Sequence, residues 1–372
     1  MQKKKRIKLK KKRVMAQIKV SVIIPVYNAE GFLTDCIQSL MSQTLQECEF
    51  IFVNDGSSDK CQQIIEEFQK KDDRIILINQ ENKGISGARN TGIEVSKGEY
   101  IGFLDNDDYV KNTMFETLYN SAIKSDLDIV ISKTILGRDG KYIIKDAVFP
   151  IEKIYAQDFI QKEIIPSLLR EEDLFAVWNK IYKRSLVFQN AIRFPNNRDI
   201  EEDNMFNIQA FNKAEKAVFI DYSGYYYREV FTSESRRTLE NDYFAKALQK
   251  LQFDYKKEYN LLIDYKELEK LKSIRFIHRV FYLIYKCATD KTSFAQNINY
   301  IKNMVLHPKV FALSSQYKEE ILHNKGRYEF LVLKIIKYKS VAALYLLVLA
   351  IKMTYYPKIS EVIRNLNNFK LK

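Results

Sequence analysis

The chain has 372 residues, 46% hydrophobic and 13% aromatic, enough for a packed catalytic domain with a smaller appendage and too apolar for general disorder. Of the net charge of +13, residues 1–13 supply +9 and residues 331–372 supply +7, so residues 14–330 carry −3. A slightly acidic body with basic ends excludes nucleic acid as the main partner, because a binding groove would spread basic residues over the folded core.

Residues 1–16 are expected to be a disordered basic tail. No apolar stretch follows its charges, so it is not a signal peptide. Met15, just before Ala16-Gln-Ile-Lys-Val20, leaves two alternatives: a translated tail or an upstream extension. Val20–Val26 is a β-branched run and predicts the first strand. Asn28 then caps a helix in which Phe32, Leu33, Cys36, Ile37, Leu40 and Met41 recur with helical spacing. Glu49–Val53 is a second strand, followed by Asn54-Asp-Gly-Ser-Ser-Asp59 and a helix to about Lys70. Arg74–Ile78 and Tyr100–Leu104 are further strands, with a helix over Ser86–Ser96 between them. Asn112–Ile123 is helical and Asp128–Ser132 a strand. This alternation predicts an α/β, doubly wound and mostly parallel sheet covered on both faces.

Residues 155–230 read as helices mixed with loops, and residues 240–330 as amphipathic helices, for example around Tyr243–Tyr259 and Leu268–Lys286. The division expected is a catalytic domain over 17–235, a helical extension over 236–330, and a basic amphipathic segment over 331–372. In that last segment Ser340–Ile351 is apolar but shorter than the ~20 residues a spanning helix needs. On one continuous helix Arg327, Lys334 and Lys352 fall within about 20° of each other. Such a stripe fits a segment lying in the membrane interface, or equally a helix packed on the body with its lysines in water. Basic ends fit attraction to an anionic membrane surface, about 1 kcal/mol per basic residue. Cys36, Cys48, Cys61 and Cys287 show no C-x-x-C pairing and read as buried, reduced thiols of a cytosolic protein. A cytoplasmic protein, peripheral on the inner face of the cell membrane, is the expected setting. Oligomeric state stays open.

The chemistry gathers where strands end. Ile101-Gly-Phe-Leu-Asp-Asn-Asp-Asp-Tyr109 is an apolar strand that runs into Asp105, Asp107 and Asp108. Carboxylates crowded at such an edge repel one another unless a cation joins them, and hard oxygen ligands suit Mg²⁺ or Mn²⁺. The alternative is an acidic turn that caps the next helix. Tyr27 and Asn28 follow the first strand, Asp55 the second, and Lys83 and Gly84 the third. This convergence of polar groups points to a nucleotide site. No G-x-G-x-x-G or G-x-x-x-x-G-K-[ST] is present.

Val20-Ser-Val-Ile-Ile-Pro-Val-Tyr-Asn28, Val53-Asn-Asp-Gly-Ser-Ser-Asp59, Gly84-Ile-Ser-Gly-Ala-Arg-Asn-Thr-Gly92 and Phe103-Leu-Asp-Asn-Asp-Asp108 stand in order. Together they resemble glycosyltransferase family 2, of GT-A fold and bacterial surface-polysaccharide type, over roughly residues 18–230. The resemblance implies that Pro25 and Tyr27 flank the nucleotide base, that Asp55 accepts a hydrogen bond from it, and that Lys83 lies near the diphosphate. It implies that Asp105 faces ribose and sugar while Asp107 binds the divalent metal, Mn²⁺ or Mg²⁺. In Asp199-Ile-Glu-Glu-Asp-Asn-Met-Phe206 the family's E-D pair falls on Glu202 and Asp203, making Asp203 the expected base. An acidic helix N-terminus explains the same run. Val177-Trp-Asn-Lys-Ile-Tyr-Lys-Arg184 resembles a segment on the acceptor side, where Trp178 would stack on a sugar or serve in packing. Tyr225-Tyr-Tyr-Arg228 and Ser233–Arg237 look like a loop closing over donor, with Arg228 on the diphosphate.

The function implied is an inverting, metal-dependent transfer of a sugar, from a UDP-sugar, to a hydroxyl of a glycan or lipid-linked saccharide. A sugar-phosphate nucleotidyltransferase is a second reading, disfavoured because Tyr27-Asn-Ala-Glu30 stands where a glycine-rich basic loop is needed. A non-catalytic glycan-binding partner is a third, disfavoured because Asp105, Asp107 and Asp203 are all present. The Q-x-x-R-W signature of processive synthases is missing. His278, His307 and His323 lie outside the motifs and read as structural.

Overall fold

The structure is a computed structural model that describes residues 17–138, 141–195, 201–228, 242–290, 294–323 and 325–355. The basic tail and the Ser233–Arg237 segment lie outside the described residues. The chain runs β1 (Val20–Val26), α1 (Glu30–Met41), β2 (Cys48–Asp55), α2 (Cys61–Gln69), β3 (Ile75–Gln80), α3 (Gly84–Val95), β4 (Tyr100–Phe103) and β5 (Tyr109–Val110). Next come α4 (Met114–Lys124), β6 (Ile129–Arg138), β7 (Lys141–Lys145), β8 (Ile154–Ala156), α5 (Gln157–Phe159), a π-helical turn (Ile160–Ile164) and α6 (Ile165–Arg170). They are followed by β9 (Lys180–Lys183), α7 (Arg184–Gln189), α8 (Glu202–Lys213), β10 (Lys216–Tyr227), α9 (Tyr243–Gln252), α10 (Tyr255–Tyr259) and α11 (Tyr265–Thr289). The last described helices are α12 (Phe294–Leu306), α13 (Pro308–Gln316), α14 (Lys318–Leu322), α15 (Arg327–Tyr338) and α16 (Val341–Tyr355).

Described residues within Met1–Ile154, Val177–Arg198 and Ala214–Arg228 form one compact unit, and those within Tyr155–Ala176, Asp199–Lys213 and Glu229–Lys372 a second. This differs from the division expected at residue 235. Helix α8 belongs with the C-terminal helices, because Glu201 at its start pairs with Arg275 (2.7 Å) and Arg279 (3.4 Å) of α11. Helices α15 and α16 also pack into that second unit rather than standing apart.

In the first unit the strand order is β3-β2-β1-β4-β9-β6-β10-β5. β1 is parallel to β2 and β4, β2 to β3, and β10 to β6. β9 is antiparallel to both its neighbours, β4 and β6. Six strands therefore point one way, and β1, β2, β3, β4, β6 and β10 all end on one edge. β1 is buried along its whole length, as a strand covered on two faces requires. Val20, Val22, Ile24 and Val26 pack with Leu33, Cys36, Ile37 and Leu40 of α1. Ile23 faces the other way, against α3, where Gly92 is needed: a Cβ there would overlap Ile23 Cγ2.

Three local expectations are corrected. Asn28 does not cap α1; it adopts a left-handed φ of 46°, which asparagine tolerates, and Ala29 is the N-cap. Its Oδ1 instead accepts from Ser58 N at 2.8 Å, while Asp59 accepts from Glu30 N and Glu30 from Lys60 N. The loops after β1 and β2 thus satisfy each other's helix starts. Tyr225–Tyr227, expected in a loop, are the last residues of β10, paired with β5 and β6. The basic stripe is not continuous, because the chain breaks at Lys339 (φ 49°) between α15 and α16.

The second unit is built on α11, whose 25 residues span about 38 Å at 1.5 Å per residue. Asp264 caps it by accepting from Glu267 N at 3.0 Å. Its buried face, including Ile277, Val280, Ile284 and Cys287, meets α12, α13, α15 and α16 in one apolar cluster. The histidines are structural in part: His307 Nδ1 accepts from Lys309 N at the start of α13, and His278 Nε2 lies 3.1 Å from Ile321 O. All four cysteines are buried thiols. Among the described residues no helix is long and apolar enough to cross a membrane.

Candidate active site

The shared edge of the parallel strands assembles the site of the first unit. At the end of β2, Asp55 is 3% exposed, and its Oδ1 accepts from Gln80 Nε2 (2.6 Å) and from Lys83 N (2.8 Å). Gln80 is held in turn by Thr91 Oγ1 at 2.7 Å. Both bonds fall on Oδ1. Lys83 thus meets Asp55 through its backbone, and its side chain is exposed at the start of α3. Gly84 follows with φ +78°, a conformation that admits glycine readily. Tyr27 stands just beyond β1 with half its surface open, and Pro25 is buried within the strand. Pro25 O accepts from Asn106 Nδ2 at 2.8 Å, which fastens the acidic turn to β1.

The three acids of that turn have three different fates. Asp105 Oδ1 lies 2.8 Å from Arg89 Nη2, a guanidinium 1% exposed and set over the Phe194 ring at 5.1 Å. Asp108, also 1% exposed, accepts from Tyr225 Oη on Oδ2 (2.6 Å) and from Arg228 N on Oδ1 (2.7 Å). Burial, then the charges of Asp105 and Asp107, still push Asp108 well above the usual carboxylate range. Asp107 has no such partner among the described residues. Burial, and next the repulsion of Asp105, push it up to about 6.

A carboxylate in that state is one that a divalent cation would restore to full charge. The donor chemistry fits Mg²⁺ or Mn²⁺, which bind through one or two carboxylates together with substrate phosphates. Among the described residues no three acidic, histidine or cysteine side chains form a complete metal cage. A cation at Asp107 would therefore complete its shell from a ligand.

β9 explains the place of Trp178. Tyr100, Ile101 and Gly102 of β4 pair with Lys183, Tyr182 and Ile181, so β9 begins beside the acidic end of β4 and runs away from it. Trp178, two residues before β9, stacks on Tyr225 (centroids 4.1 Å, 21°) and on Tyr227 (5.8 Å, 25°). The packing alternative for this tryptophan is therefore real: it braces the tyrosine that holds Asp108. Arg228 closes the same edge, with Nη2 3.0 Å from Asp35 Oδ2 and its guanidinium near the Tyr109 and Phe32 rings.

Pro25, Tyr27, Asp55, Lys83, Asp105, Asp107, Trp178 and Arg228 thus all belong to the first unit. Glu202 and Asp203 stand in the first turn of α8, in the second unit. There Glu201 takes the structural role, as described above. Two residues that hold the acidic turn, Arg89 and Tyr225, were given no such role by the sequence. The one cue to Arg89 is a charge on the buried stripe of α3, beside Ala88, Gly92 and Ile93.

Comparison with known proteins shows the family and the fold. The profile of glycosyl transferase family 2 matches residues 21–188. Glycosyltransferase GlyG of Streptococcus pneumoniae is 33% identical over 214 residues, 56% of this chain and 70% of its own. The chain belongs to glycosyltransferase family 2. The uncharacterized glycosyltransferase EpsJ of Bacillus subtilis is 37% identical over 210 residues, 56% of this chain and 61% of its own, so the match spans about three fifths of that relative. For the fold, residues 1–349 of S. aureus TarS with bound UDP align at TM-score 0.56 and 19% identity, covering 91% of this chain and 92% of that one. TarS is also solved with UDP-GlcNAc.

Proposed function

We propose that this family member is an inverting, metal-dependent transferase that moves a sugar from a UDP-sugar to a hydroxyl of a glycan or lipid-linked saccharide in cell-surface polysaccharide synthesis. The observation that carries the proposal is the division of labour in the acidic turn. Arg89 takes Asp105, Tyr225 and Arg228 take Asp108, and Asp107 is left as the buried carboxylate that needs a cation. Asp55, held by Gln80 and Lys83, would accept an N–H of the base on its second oxygen, which favours uracil. Tyr27 would lie against that base with Pro25 beneath it, and the exposed Lys83 side chain would meet the diphosphate. The UDP and UDP-GlcNAc held by the similarly folded TarS support a UDP-linked donor.

Bound divalent metal supplies Lewis-acid neutralisation of the departing diphosphate. The protein supplies the rest. Asp105, fixed by Arg89, would orient the ribose and sugar. Asp203 would take the proton of the acceptor hydroxyl; its place at a helix N-terminus favours the charged form that a base requires. A single displacement of this kind inverts the anomeric centre. Glu202 and Trp178 are assigned to the acceptor side and Arg228 to the diphosphate. The basic ends, and the exposed Lys334 and Lys337 on α15, support a cytoplasmic enzyme peripheral on an anionic membrane face.

The test is UDP release from a panel of nucleotide sugars with Mn²⁺ or Mg²⁺. Asp107→Ala should abolish both release and Mn²⁺ binding. Asp203→Asn should retain donor binding and lose transfer to acceptor. Undiminished turnover in Asp107→Ala refutes the metal assignment, and undiminished transfer in Asp203→Asn refutes the base.

A further inference from the structure

The second unit contains a cavity of about 650 Å³, walled by α11, α15 and α16. That volume lies within the roughly 300–1,000 Å³ of ligand-binding pockets. Its lining is mainly apolar: Phe281, Tyr282 and Tyr285 from α11, Tyr328 from α15, and Ile351 from α16. These walls are fixed rather than fluid. Tyr328 Oη donates to Phe281 O at 2.7 Å, and the Tyr285 and Tyr328 rings meet edge to face at 6.2 Å. Lys325 and His278 stand at the polar part of the lining. Glu329, also there, is engaged by Gly326 N at 2.9 Å.

The wall made by α16 is unusual. Among the residues of this helix whose burial is described, only Leu344 and Val348 are fully buried, at 1% and 0% exposure, while Leu346 (69%), Leu349 (44%) and Tyr345 (39%) face outward. A helix apolar all round belongs inside a core or in contact with lipid. Fifteen residues rise only about 22 Å, short of a hydrocarbon core of about 30 Å, so α16 could lie along a bilayer but not cross it. Residues 327–355 carry Arg327, Lys334, Lys337, Lys339 and Lys352 against Glu329 alone, a charge that complements an anionic surface.

We propose that the cavity is a binding site for the hydrocarbon chain of an anionic amphiphile, acyl or isoprenoid, whose head stays at the basic surface of α15 and α16. Burial of the chain's methylenes on the aromatic walls supplies the affinity. This site is lined by residues of the second unit, and the inference does not rest on the transferase reading.

The test is isothermal titration of the full-length protein with farnesyl phosphate and with dodecyl phosphate below their micelle concentrations, and with inorganic phosphate. One equivalent of at least one amphiphile should bind, inorganic phosphate should not, and a preference between the two tells isoprenoid from acyl. Ala350→Trp, which fills the cavity, and Tyr282→Glu, which places a charge at its wall, should each weaken binding tenfold or more. Leu346→Lys, on the outer face of α16, should leave it unchanged. Binding of neither amphiphile by the wild type overturns the proposal. So does unchanged affinity in whichever of Ala350→Trp and Tyr282→Glu melts like the wild type. UDP release does not enter this assay, so either reading can fail without the other.

Discussion

Replacing Arg89 by methionine keeps an apolar stem against the Phe194 ring but removes the charge facing Asp105. Breaking a buried ion pair at one partner costs about 3–5 kcal/mol, because the other charge is left uncompensated. Here Arg89 is 1% exposed but Asp105 keeps 24%, so water recovers part of that solvation, and a loss of about 2–3 kcal/mol is expected. Trp178 is the sole tryptophan and stacks on Tyr225 within the same unit, so its fluorescence reports unfolding where the change is made. Urea denaturation followed at the tryptophan gives the loss, and a double-mutant cycle with Asp105→Asn isolates the pair. The double variant should recover about 1 kcal/mol or more relative to the sum of the single changes. UDP release should fall at least tenfold in Arg89→Met, since Asp105 would no longer be held. A stability loss below about 0.5 kcal/mol, or a cycle with no coupling, would refute the claim that Arg89 neutralises Asp105.

Tyr225→Phe removes the donor to Asp108 and the acceptor for Asp105 N; it should cost about 1–3 kcal/mol by tryptophan-detected urea unfolding and lower kcat/KM of UDP release more than donor affinity. Gly92→Ala should destabilise the first unit by about 1–3 kcal/mol in the same measurement, because its Cβ would overlap Ile23 on β1. Lys339→Gly relieves a left-handed residue between α15 and α16 and should raise stability by up to about 1 kcal/mol, read as a higher midpoint by far-UV circular dichroism.

Much of the first unit was legible because its strands are short, β-branched and separated by helices with clear periodicity. Val20–Val26 is the strand expected, and the polar residues after β1 to β4 do converge. β10 was not legible. Its apolar run Ala217–Ile220 is followed by Asp221 and Gly224, and the pairing with β6 shifts register between Phe219, Ser223 and Tyr225. A bulged strand breaks the two-residue alternation on which strand recognition depends. The α15–α16 break was hidden for the opposite reason. The apolar pattern continues across Lys339, and the only cue is Ser340, whose Oγ accepts from Ala343 N at 3.2 Å. Arg89 and Tyr225 were hidden because their partners are distant in sequence: each meets the acidic turn only once the sheet has formed.

The three acids of the same turn are not equivalent. A lone buried carboxylate would simply take up a proton. Asp105 supplies the charge that raises Asp107, and Arg89 fastens it so that it cannot move to relieve the repulsion; Asp108, itself raised by burial, is fastened separately by Tyr225. Asp107 carries the residual cost, seen in its shift to about 6. On the proposed function, a cation arriving with a diphosphate would remove that cost. Donor and metal would then stabilise each other's binding, and Arg89 and Tyr225, which fasten Asp105 and Asp108, would tune this coupling.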